Sequence, residues 1–123
     1  MKMIKISEVD VKELAVFNIA VLEFITDRNN NINEMLLLDQ NEYFSRVLLI
    51  DVAKELFRFF RTKIENFSRT KPTTSLSFNA HEAIVLLQCC DFSMKFSDYA
   101  SDEYHLHTLR RAKELIFNKI INL

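Results

Sequence analysis

Residues 39–67 read DQNEYFSRVLLIDVAKELFRFFRTKIENF, a long run that holds neither glycine nor proline. Val47, Ile50, Leu56, Phe57, Phe60, Ile64 and Phe67 recur mainly at three- and four-residue spacings, which places them on one face of a helix. Asp39, with Glu42 three residues on, makes a capping-box signal. One helix is therefore predicted from about Asp39 to Phe67. Leu48, Leu49, Val52 and Phe59 widen its apolar stripe well beyond a single buried face.

Toward the N-terminus lie a short apolar patch, Met35–Leu38, and an asparagine-rich connection, Arg28–Asn33. Before them a first helix is predicted from Glu8 to Asp27, capped by Ser7 with Asp10 three residues on. From Leu14 to Ile25 it is apolar nearly all round, interrupted by Asn18 and Glu23, a pattern that expects burial on several sides. Toward the C-terminus, Ser68–Thr74 contains the one proline, Pro72, and breaks the helical pattern. Ser75-Leu76-Ser77-Phe78 then alternates with the period of a strand. Asn79 and Glu82 form another capping box, opening a helix through roughly Asp91. Phe92–Ser97 reads as a polar and aromatic connector. The last helix begins between Asp98 and Asp102 and runs to about Ile121, with Leu106, Leu109, Ala112, Ile116 and Ile120 inward.

The halves resemble each other. Ala53-Lys54-Glu55-Leu56 recurs as Ala112-Lys113-Glu114-Leu115, and Ile4-Lys5-Ile6-Ser7 matches Leu76-Ser77-Phe78-Asn79 in pattern. Units 1–68 and 73–123 are expected to share one order of extended segment, helix, loop and helix. A pseudo-twofold would then lay Met3–Ile6 antiparallel to Ser75–Phe78 as a minimal two-stranded ribbon, packed against helices because two strands alone are marginal.

At 123 residues the chain is long enough for one domain and too short for two ordinary ones. Its 49% hydrophobic content can bury a core large enough to offset the entropy of ordering. The absence of glycine argues against a many-stranded sandwich or barrel, whose tight turns and bulges favour left-handed backbone. The fold class expected is mainly α, a compact bundle of four principal helices in residues 1–123.

The missing glycine also excludes chemistries. A P-loop and a dinucleotide-binding turn need backbone that approaches phosphate with no Cβ in the way, and a nucleophile elbow needs small flanking residues. His105 and His107, two apart, fall on nearly opposite helix faces, and no i, i+4 histidine pair of the zinc-binding kind occurs. Cys89 and Cys90 are adjacent, poorly placed to bridge each other, and read as buried thiols in a reducing cytoplasm. No catalytic residue, metal or cofactor is assigned. A net charge of −1 gives no overall field for recruiting nucleic acid or an anionic membrane.

Eleven phenylalanines and the over-wide stripe of the long helix are the positive signal. Val47, Leu48, Leu49, Phe59, Phe92 and Phe96 are the expected interface residues of a non-enzymatic helical interaction module, a homodimer or an adaptor for another protein. The alternative is a small nucleic-acid-binding regulator using two basic stripes, Lys54, Arg58 and Arg61 on the second helix and Arg110, Arg111 and Lys113 on the fourth.

Overall fold

The computed structural model describes residues 3–31, 40–67 and 70–122. Alternation makes the first element a strand: Ile4, Ile6 and Val9 are buried while Lys5, Ser7 and Glu8 face water, giving β1 over Ile4–Val9. Leu76 and Phe78 do the same in β2, Thr74–Phe78. The strands pair antiparallel, Ile4 opposite Phe78 and Ile6 opposite Leu76, then slip at a bulge so that Val9 faces Thr74. Within the bulge Glu8 takes a left-handed φ of 58°. A non-glycine residue adopts that conformation at a cost of about 1–2 kcal/mol, and here no glycine exists to relieve it.

The described residues form four helices: α1 Val11–Asn30, α2 Gln40–Glu65, α3 Ala80–Phe96 and α4 Glu103–Ile121. The first starts three residues later than its pattern suggests. Ser7 belongs to the strand, and the cap is Asp10, whose carboxylate accepts from the Glu13 amide at 2.8 Å while Glu13 accepts from the Asp10 amide at 3.2 Å. The predicted box at Asn79 and Glu82 forms as read, with both hydrogen bonds at 2.8 Å. Asp39, the expected cap of α2, and the Met35–Leu38 patch lie outside the described residues. Phe92–Phe96 is not a connector: α3 continues through it, supported by the i, i+4 ion pair of Asp91 with Lys95 at 3.1 Å and by the Phe92 and Phe96 rings, 5.2 Å apart.

Both reciprocal boxes satisfy amide donors that a helix start otherwise leaves open. Replacing Asn79 with alanine is expected to lower stability by about 1 kcal/mol. The urea midpoint of the purified variant measures it, and an unchanged midpoint would mean that water serves the α3 start equally well.

Among the described residues the order strand–helix–helix occurs twice. The strand register is self-consistent under a shift of 72 residues, which interchanges the Ile4–Phe78 and Ile6–Leu76 pairs. Leu14, Val16, Phe17, Ala20, Val21 and Phe24 are buried in α1, and the residues 69 positions on, Ala83, Val85, Leu86, Cys89, Cys90 and Ser93, are buried in α3. The three-residue difference is taken up at Ser7–Val9, around the bulge. For the outer helices, Ala53, Leu56 and Phe60 of α2 correspond in burial to Leu109, Ala112 and Ile116 of α4, 56 positions on. The tetrapeptide match is therefore out of step with the packing, since Leu56 is buried and Leu115 is 38% exposed.

Helices α1 and α3 form the centre and pack against each other and against both α2 and α4, which do not form a principal contact with one another. An aromatic cluster joins the ribbon to the helices. Phe60 lies 5.6 Å from Phe17, 5.5 Å from Phe59 and 6.0 Å from Phe78, ring centre to ring centre. At the far end the Lys119 ammonium donates to the Lys5 carbonyl of β1. No described helix is long and apolar enough to cross a membrane.

Candidate interaction groove

With 26 residues, α2 is the longest helix, about 39 Å at 1.5 Å per residue. None of residues 40–49 is fully buried; the first buried residue is Ile50. The N-terminal part of α2 thus reaches past the core as a ridge, with Phe44 51% and Leu48 65% exposed. Its helicity is supported locally by the Arg46–Glu42 ion pair at 3.0 Å and by Ser45 Oγ donating to the Asn41 carbonyl.

Beside this ridge runs a groove made of two depressions that share Leu49. One, of about 220 Å³, is lined by Ser45, Leu48, Leu49 and Val52 of α2 and by His81, Ile84 and Val85 of α3. The other, of about 270 Å³, is lined by Leu49, by Phe24 and Arg28 of α1 and by Gln88, Asp91, Phe92, Lys95 and Phe96 of α3. The α3 residues recur at three- and four-residue spacings along one helical stripe, which therefore forms one wall along most of the helix. Phe96 closes the end, 69% exposed.

The rim carries both signs of charge. The Arg28 guanidinium lies 4.8 Å from the Phe24 ring centre and 5.8 Å from that of Phe92, and pairs with Asp27 at 2.9 Å. Asp91 accepts from Lys113 at 2.8 Å and from Lys95 at 3.1 Å. Hydrogen bonds from Lys113 and Lys95 hold its carboxyl below the ordinary 3.8. Cys89 and Cys90 lie behind this wall in the core. Burial raises the Cys89 thiol and pushes Cys90 up to about 12, so both are protonated at neutral pH and weak nucleophiles.

Of the residues expected at an interface, Leu48, Leu49, Phe92 and Phe96 meet at this groove, whereas Val47, half-buried on α2, lines neither depression. Phe59 does not; it packs on Phe60 and on Phe78, 5.4 Å away, closing the core on the ribbon side. The basic residues fall on the two outer helices. Arg58 pairs with Glu55 at 2.7 Å, Arg61 with Glu65 at 3.2 Å, Arg111 with Glu13 at 3.7 Å and Lys113 with Asp91, while Lys54 and Arg110 are exposed. Among the described residues no three metal-ligating side chains gather.

Sequence reading did not single out Phe44, Ile84, Phe24 or Arg28. Phe44 and Ile84 could have been found as apolar residues off the core stripes of α2 and α3. Phe24 and Arg28 enter only because α1 crosses behind α3. It also passed over the buried contact of Ser93 with His105, whose residues look like ordinary polar surface in one dimension.

No protein-family model matches the chain, and neither a curated protein nor a solved structure is significantly similar to it.

Proposed function

We propose that this protein is a non-enzymatic helical interaction module that binds a second copy of itself through the α2–α3 groove. The observation that carries the reading is the overhang of α2, which sets exposed Phe44 and Leu48 beside an apolar groove on the same face. A ridge next to a groove is self-complementary under a twofold axis: the ridge of one copy enters the groove of the other. A net charge of −1 leaves little repulsion between copies. Burial of Phe44, Leu48, Ile84 and Phe96 supplies the driving force.

A cytoplasmic setting belongs to the same proposal, because both cysteines are free and buried. The nucleic-acid reading has less support. Four of its six cations are already engaged by carboxylates, and its two stripes lie on helices that do not pack together.

Size-exclusion chromatography with in-line light scattering tests the proposal. A mass of twice 14.5 kDa is expected. A monomer at every concentration reached would overturn self-association.

A further inference from the structure

On α3, one residue along from Phe92, Ser93 is completely buried and points away from the groove into a polar junction. Its hydroxyl lies 2.8 Å from Nε2 of His105 on α4, which is 3% exposed, and 3.3 Å from Oε1 of Glu23 on α1. The Tyr99 ring, in the connection between α3 and α4, covers the imidazole at 5.7 Å between ring centres. That connection is held by its own turns: Ala100 N–H donates to the Ser97 carbonyl, Asp102 N–H to the Tyr99 carbonyl and Tyr99 N–H to Ser97 Oγ. His105 is the third residue of α4, and its amide donates to the Asp102 cap at 2.9 Å. Three helices and one connection thus meet at two buried side chains.

With Glu23 ionised, one arrangement of hydrogens makes both contacts of Ser93 at once. Nε2–H of a neutral His105 donates to Ser93 Oγ, and the Ser93 hydroxyl donates to the Glu23 carboxylate. The next proton, drawn from solvent, must go to Nδ1. It would place a cation in a buried site at the positive end of the α4 dipole. The charged groups facing the imidazole are Glu23 from α1 and Asp102 from the α4 cap; α3 presents Ser93, which does not ionise, and the connection presents the Tyr99 ring.

We propose that the Glu23–Ser93–His105 junction is an acid-operated latch: neutral His105 holds the first turn of α4 and residues 97–102 against α1 and α3, and its protonation releases them. Burial holds the imidazole below its ordinary 6.5, against the opposing pull of Glu23 and Asp102. The released segment, like the unfolded chain, takes the proton first. The latch is therefore at full strength above pH 6.5 and weakens as pH falls below that value, until the folded imidazole itself protonates. It stands apart from the groove and needs no second copy.

The protein has three histidines, so the His81→Gln/His107→Gln variant leaves His105 as the sole imidazole without touching a buried site. Its ring resonances and the amide exchange of residues 97–105, normalised for intrinsic rate, are followed from about pH 8 to about pH 5. The expected result is a ring midpoint below 6.5, with opening of this segment rising by up to about tenfold per pH unit between 6.5 and that midpoint and levelling off below it. Adding His105→Gln, which keeps a donor and cannot ionise, is expected to abolish that rise. A midpoint at or above 6.5 overturns the latch even if the glutamine variant does not fold. Equal acid opening with glutamine at 105 overturns it as well.

Discussion

Replacing Phe60 with alanine is expected to reduce the unfolding free energy by about 3–5 kcal/mol. The ring is fully buried and touches Phe17 of α1, Phe59 of its own helix and Phe78 of β2, so its loss opens a cavity where three elements converge. No neighbour can collapse into that space without giving up its own ring contacts. Against a total stability of about 5–15 kcal/mol, the change brings the domain close to its unfolding threshold. Phe60→Leu, which keeps most of the apolar volume, is expected to lose less than half as much. Urea unfolding of both variants measures the pair of values. A loss below about 1 kcal/mol for the alanine variant would mean that Phe60 is not the joint between ribbon and helices.

The second large effect concerns association. Leu48→Glu combined with Phe96→Glu is expected to convert the proposed dimer to a monomer, halving the mass in light scattering. Each glutamate would put a charge into the proposed interface, where loss of one anchoring side chain typically weakens binding by about 2 kcal/mol or more, roughly thirtyfold. Both positions are among the most exposed apolar ones, so folding stability is expected to stay within about 0.5 kcal/mol of the parent. Phe117→Glu serves as the control. It is 54% exposed on α4, away from the groove, and should leave the mass unchanged. If the control dissociates the protein and the groove variant does not, copies associate through α4 instead.

These two predictions draw on different parts of one apolar excess. The phenylalanines at 17, 24, 60 and 78 are fully or almost fully buried and build the core, whereas those at 44, 96 and 117 remain in water. No count of phenylalanines could make that division. Phe59 shows why. It lies off the core stripe of α2 and so reads as interface, but its ring packs against that of Phe78 from β2.

The cap of α1 holds a related lesson. Ser7 and Asp10 each carry a side chain able to cap, and the choice depends on where β1 ends, which is set by Val9 pairing with Thr74 across the bulge. At Asn79 no such competition exists, because Phe78 must be the last inward residue of β2.

From its own order of residues, the chain determined that it would be helical, where three of the four helices would lie to within a few residues, and that Ile4–Ile6 would pair with Leu76–Phe78. The helices follow from local steric and hydrogen-bonding preferences and from periodicity, which act between near neighbours, and the strand pairing from the likeness of the two halves. The tertiary structure alone decided which apolar surplus is covered, how far α2 overhangs, and that Glu23, Ser93 and His105 share one buried junction. Such outcomes depend on which helices cross and at what offset, a property of packed side chains far apart in sequence rather than of any one segment.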